Sequence, residues 1–172
     1  DNGSIIWETR LALPTGRTEL ERMVDIDGEP LLVGDVIYSV SYQGRVGALS
    51  RGTGRSLWSQ DSSSHHAPAH SAGQIYVTGA EDSVQAFQAG NGQPIWSNDQ
   101  LFLRRLTGPV KLAGTMAVAD AEGYLHLLDP IDGRFVGREK IDGSGISTPM
   151  LSVGESLIIQ SNNGKISAYK IQ

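Results

Sequence analysis

Gly90-Asn-Gly-Gln-Pro-Ile-Trp96 is the stretch whose reading decides the fold, because the chain repeats it. Gly52-Thr-Gly-Arg-Ser-Leu-Trp58 comes before it in the same form, Asp1-Asn-Gly-Ser-Ile-Ile-Trp7 before that, and Ile131-Asp-Gly-Arg-Phe-Val-Gly137 after it. Each copy holds a glycine (3, 54, 92, 133) followed four residues later by Trp, with Gly137 in the Trp place of the last copy. Outward from these, Pro30, Pro68, Pro109 and Pro149 recur at intervals of 38, 41 and 40 residues. Behind each Pro come a turn glycine (34, 73, 114, 154) and a run of β-type residues at 36–40, 75–77, 116–118 and 157–159. Val46/Ala48, Val84/Ala86, Leu125/Leu127 and Ile166/Ala168 form a third register, on alternate residues as one face of a strand requires.

Each unit reads as four short antiparallel strands, A to D. Strand A begins at the Pro and B follows the first glycine; C follows Gly44, Asp82, Gly123 or Gly164, and D carries the Trp. Tandem four-stranded units of about 40 residues are β-propeller blades. No segment sustains the 3.6-residue apolar spacing of a helix, so the fold class is all-β. The expected blade units are 1–10 with 30–64, then 65–102, 103–144 and 145–172, with a long inter-blade loop at 11–29. In phase, the chain opens on a D strand at 4–10, holds three whole units and stops after a C strand, four blades' worth in sixteen strands. Strand 4–10 could complete the last blade and close a four-bladed ring; the expectation is instead a portion of a longer ring.

Composition bounds the function. The 172 residues carry 14 Lys+Arg against 19 Asp+Glu, a net charge of −5, the wrong sign for a protein that neutralises nucleic-acid phosphates. Cysteine is absent, which removes disulfides, thiolate catalysis and thiolate zinc sites together. With 39% hydrophobic and 19% charged residues, the chain has a globular balance. No apolar run reaches the roughly 18 residues of a membrane-spanning helix.

Against this regularity one connection stands out. From the D-strand Trp, or its replacement, to the next strand-A Pro takes 10, 13 and 12 residues after positions 58, 96 and 137, but 23 after Trp7. The extra length lies in 11–29 and is charged: Arg17, Glu19, Glu21, Arg22, Asp25, Asp27 and Glu29. Long connections in compact domains are uncommon and often carry binding.

Other chemistry is weakly signalled. His65, His66 and His70 with Asp61 match no common zinc spacing and read as loop histidines. Asp25-Ile-Asp-Gly-Glu29 opens like a calcium loop, but the twelfth position is Val36 rather than Glu. Nothing brings together a Ser/His/Asp triad, and no glycine-rich phosphate loop follows a strand and opens a helix. Neither a catalytic nor a metal site is expected, and no cofactor. Trp7, Trp58 and Trp96 are assigned to packing between blades by their place in the repeat.

Ala48-Leu-Ser-Arg-Gly-Thr-Gly-Arg-Ser-Leu-Trp58 and Ala86-Phe-Gln-Ala-Gly-Asn-Gly-Gln-Pro-Ile-Trp96 resemble the Ala-x-Asp-x-x-Thr-Gly-x-x-x-Trp repeat of quinoprotein-type propellers, in which the Trp docks on the neighbouring blade. Ser50 and Gln88 replace the repeat's Asp, Asp129 keeps it, and Gly137 replaces the Trp, which implies weaker docking at the third unit. Glu19-Leu-Glu-Arg-Met-Val-Asp-Ile-Asp27, Leu103-Arg-Arg-Leu-Thr-Gly-Pro109 and Asp120-Ala-Glu-Gly-Tyr-Leu-His126 are similar, more narrowly, to the BamB family. Those are eight-bladed propeller lipoproteins of the outer-membrane β-barrel assembly machinery that bind the periplasmic domains of BamA. By that resemblance the chain corresponds to the C-terminal half of such a ring, on the periplasmic face of the outer membrane, held there only through an upstream lipid anchor. The resemblance implies a non-enzymatic scaffold, with Asp25 and Asp27 facing BamA and Glu21 and Arg22 in the same segment. Unfolded outer-membrane proteins, aligned by β-augmentation, are the second partner class it implies. The alternative from the same repeat is a quinone- and calcium-dependent dehydrogenase or another ligand-binding propeller.

Overall fold

The computed structural model of the chain describes residues 3–11, 28–42 and 44–171. Fifteen strands form four antiparallel sheets, and no helix occurs among the described residues. The first sheet runs β1 (Leu31–Val33), β2 (Val36–Val40), β3 (Arg45–Ser50), β4 (Ser56–Asp61). The second runs β5 (Ala69–Ser71), β6 (Gln74–Thr78), β7 (Val84–Gln88), β8 (Pro94–Asn98). The third runs β9 (Val110–Leu112), β10 (Thr115–Ala119), β11 (Tyr124–Leu128), β12 (Phe135–Lys140). The fourth has β13 (Leu151–Val153), β14 (Ser156–Gln160) and β15 (Ile166–Lys170). Strands neighbouring in sequence neighbour in space throughout, the meander of a propeller blade.

The register explains the repeat. Tyr38 pairs with Ala48 and Ala48 with Trp58, and Tyr76, Ala86 and Trp96 align in the same way. A small residue between two aromatics lets both rings lie on one face. Each C strand then slips by a bulge one residue later, at Ala48/Leu49, Ala86/Phe87 and Leu127/Leu128. A bulge turns the outer strand and increases local twist, and its recurrence keeps the blades alike.

The core lies between sheets. One cluster joins Tyr38, Val40, Val46 and Trp58 of the first blade to Ile75, Val77 and Phe87 of the second. Val84 and Leu106 meet Val118 and Leu128 across the next seam, and Leu112, Ala117 and Leu125 meet Leu157 and Ile159 across the last. A second device ties the blades near the ends of their B strands. The Ser64 amide donates to Ser41 O at 3.2 Å and its hydroxyl to Thr78 O at 2.7 Å. Thr78 Oγ1 donates to Thr107 O at 3.0 Å, and the Thr107 amide to Ala119 O at 2.8 Å. Further on, Ile146 N donates to Asp120 O at 3.0 Å and Asn162 N to Gly145 O at 2.9 Å. Every inter-blade connection from 62 onward thus bonds to the blades on both sides of it, satisfying its own backbone as a buried segment must.

One expected element is corrected. Residues 4–10 are not a strand, so fifteen strands rather than sixteen are found among the described residues. A strand exists only through its ladder, and no sheet partner for 4–10 occurs among the described residues, β15 included.

Candidate functional site

The acidic segment expected to face a partner, Glu21, Arg22, Asp25 and Asp27, lies outside the described residues, but its two flanks lie within them. At the leading flank, Leu11 rests on β3, with its Cδ1 2.6 Å from where a Cβ on Gly47 would sit. At the trailing flank Gly28 is buried, and a Cβ there would lie 2.7 Å from the His66 carbonyl. Only glycine fits that contact, so the residue after Asp27 is pinned to the connection between the first two blades. Burial, and to a lesser degree the neighbouring His65, hold the His66 imidazole below its ordinary value.

The three Trp side chains share one geometry. Trp7 Nε1 donates to Arg51 O at 2.8 Å, Trp58 Nε1 to Ala89 O at 2.8 Å and Trp96 Nε1 to Pro130 O at 2.9 Å. Each acceptor lies in the C–D turn of the following blade. Tyr38 and Tyr76 add their hydroxyls to the same carbonyls, Ala89 O and Pro130 O. The ring of each Trp covers the turn glycine (54, 92 or 133), where a Cβ would lie 2.3–2.4 Å from the indole. Those glycines also have φ of +67°, +72° and +73°, so two independent constraints select Gly there. At the third seam Gly137 supplies no indole, and Leu127 closes over it, its Cδ1 3.1 Å from where a Gly137 Cβ would be. Where the first two blades read Tyr-Ala-Trp across the sheet, the third reads Ala117-Leu127-Gly137. A cleft of about 390 Å³ remains beside Gly137, with Leu112, Leu125 and Tyr169 among its walls.

The third blade carries a buried polar cluster, and it unites the two segments whose likeness to the BamB family is noted above. Asp120, fully buried, receives Arg104 Nε at 2.6 Å and His126 Nε2 at 2.7 Å on Oδ2. On Oδ1 it receives the amides of Glu122 at 3.0 Å and Tyr124 at 2.9 Å. Burial opposes its charge, but the bonds from His126, the Tyr124 amide and Arg104 outweigh burial and hold the carboxyl below the ordinary aspartate value. Burial conversely pushes His126 below the usual imidazole value, against the pull of Asp120 and with the help of Arg138 and Arg104. Burial thus favours the neutral ring, in which Nε2–H donated to the Asp120 carboxylate makes a hydrogen bond rather than an ion pair. Arg104 also reaches Glu122 Oε2 at 2.9 Å, and its carbonyl accepts from Ala121 N at 3.0 Å. On the far side of that loop, Asp82 accepts from Arg105 N at 2.9 Å and Leu106 N at 2.7 Å. Local sequence shows these charges but not their meeting; the signals were the likeness of 103–109 and 120–126 to the BamB family and a histidine at position 126 within the apolar run of β11.

His65, His66 and His70 do not converge. His65 stacks on Tyr42 with ring centres 4.0 Å apart, His66 lies against Gly28 and Gly108, and His70 sits on β5.

With this geometry in hand, comparison with known proteins is specific. The family profile described as "Outer membrane protein assembly factor BamB" matches residues 1–98 and 80–172. The chain belongs to the BamB family. The outer membrane protein assembly factor BamB of Pseudomonas aeruginosa is 46% identical over 170 residues, which cover 99% of this chain and 45% of that relative. The crystal structure of BamB from Moraxella catarrhalis superposes with a TM-score of 0.88 at 29% identity, covering 94% of this chain and 48% of that one. The chain thus spans about half the length of the BamB relatives it matches. A quinohemoprotein alcohol dehydrogenase from Pseudomonas putida HK5 gives a TM-score of 0.73 at 20% identity over 94% of this chain and 30% of that one; at such identity the likeness is one of fold alone.

Proposed function

We propose that this chain acts in outer-membrane protein assembly as a non-enzymatic scaffold that binds the periplasmic domains of BamA at the periplasmic face of the outer membrane. Family membership across 99% of the chain carries the reading. The flanks of the acidic segment support it: Leu11 lies on β3 and Gly28 against His66, both fastened to the first blades. The mechanism is charge complementarity, with the two carboxylates accepting charge-assisted hydrogen bonds from Arg or Lys of the partner. Glu21 and Arg22, earlier in the same stretch of sequence, belong to the proposed binding segment.

The test is the dissociation constant of the full-length protein for the purified periplasmic region of BamA, as wild type and as Asp25→Lys/Asp27→Lys. Binding is expected to weaken by about ten-fold or more in the variant, the loss of two charge-assisted contacts, at an unchanged Tm. Absence of wild-type binding removes the reading; equal loss of binding and Tm makes the segment a structural brace.

A further inference from the structure

Three cations crowd one aromatic ring on the third blade. Arg138 Cζ stands 3.8 Å from the centre of Tyr124, Lys140 Nζ 4.2 Å and Arg104 Cζ 5.6 Å. Such crowding is unfavourable unless anions compensate it, and only Arg104 has them, in Asp120 and Glu122. Lys140 reaches no more than the Glu122 carbonyl. Arg138 stacks its guanidinium face on the ring, and no carboxylate of the described residues lies within ion-pair distance of it or of Lys140. A stacked guanidinium keeps its N–H edge free for planar, bidentate contact with a carboxylate. In a chain of net charge −5 this is an exposed pair of cations with no carboxylate of the described residues in ion-pair reach.

The ground beside them is shaped and rigid. A cleft of about 400 Å³ opens between the 99–105 loop and β11–β12, walled by Leu101, Phe135 and Gly137, with Arg104 and Arg138 at its edge. The loop is fastened through Arg104 to Asp120 and through its amides to Asp82, and it holds Leu103 and Arg105 at φ of +60° and +52°. Residues held in that region are strained and persist where their surroundings dictate them. Among the side chains the loop puts into solvent, beside Asp99, Gln100 and Arg105, are two large apolar ones: Phe102 is 57% and Leu103 76% exposed.

We infer that this face is a second docking surface, taking a short acidic segment of a partner polypeptide. One carboxylate sits on Arg138 and Lys140, and a neighbouring apolar side chain enters the cleft between Leu101 and Phe135. The cleft favours a peptide over an anionic headgroup, because it sets apolar walls, Leu101 and Phe135, beside the cations, and only a polypeptide segment brings a carboxylate and an apolar side chain together. The inference rests on the scaffold reading, and it concerns residues far in sequence from Asp25 and Asp27.

The probe is a synthetic peptide alternating Glu with Phe and Val, titrated calorimetrically into the full-length protein, beside the same peptide with Lys for Glu. The parent is expected to bind the Glu peptide, more weakly as salt rises, and not the Lys peptide. Arg138→Gln/Lys140→Gln is expected to lose about ten-fold or more in affinity, while Lys111→Gln, at the exposed position of β9, keeps it, all at one Tm. Equal binding by the double variant, or of both peptides by the parent, overturns the inference. So does binding to vesicles containing phosphatidylglycerol in the absence of peptide binding, which assigns the cations to headgroups. BamA titrations of the same proteins separate the two readings. BamA binding without peptide binding sinks this surface and leaves the scaffold standing, and peptide binding without BamA binding does the reverse.

Discussion

At the scale of single residues, the glycine under each Trp is the most constrained position. Gly92 combines φ of +72° with a Cβ site 2.4 Å from the Trp58 ring, whereas Gly90, two residues earlier, has neither constraint. Gly92→Ala is expected to cost about 2–4 kcal/mol, strain and displaced ring together, and Gly90→Ala about 0.5 or less; urea unfolding of the pair checks it. His126 sets a pH dependence. Its folded value lies below its unfolded value of about 6.5, so the unfolded chain binds the extra proton and stability falls as pH drops through that range. His66, also held down, adds to the same slope. Asp120, with its folded value depressed, contributes stability above about pH 4 that is lost as pH falls further. Tm should therefore fall in two stages on acidification, and His126→Gln should shallow the first. An undiminished first stage in that variant would mean that His126 takes up its proton inside the fold without penalty.

At the scale of elements, the third seam differs from the first two by exchanging an aromatic tie for aliphatic filling. Leu127 occupies space that Ala48 and Ala86 leave open in the sister strands, and Gly137 has no ring to place there. Gly137→Trp alone overpacks against Leu127 and is expected to destabilise by about 1–3 kcal/mol. Adding Leu127→Ala should recover part of that loss, a coupling that a double-mutant cycle reads directly; strict additivity would show that the two positions do not share the space. The bulge after Ala48, Ala86 and Leu127 survives the exchange, so blade shape is independent of the Trp.

At the scale of the whole molecule, blades are held by hydrophobic seams and by connections bonded on both sides. Thr107 shows the second device: its backbone joins two blades, and its Oγ1 accepts from Ala119 N at 3.0 Å in a fully buried place. Thr107→Val keeps the shape and strands that amide, so a loss of about 1–3 kcal/mol is expected, with hydrogen exchange at Ala119 and Thr107 rising before that at Val77. Uniform acceleration across all blades would mean that the stitch belongs to a single global unit.

Much of this was legible in the chain because it is local and periodic. Spacing of Gly, Trp and Pro located the sheets, since blade pairing is between neighbours and each turn needs its own residue type. Strand 4–10 failed because a strand is a property of a pair, and the pattern of one partner is silent about the other. The long loop was visible as an irregularity, while the fastening of its flanks at Gly47 and His66 was not. Only the tertiary structure brought Arg104, Asp120 and His126 together and left Arg138 and Lys140 without an ion-pair partner among the described residues. Which charges meet depends on how a strand, its neighbour and a loop from the preceding blade pack, and burial then decides whether each group keeps its proton.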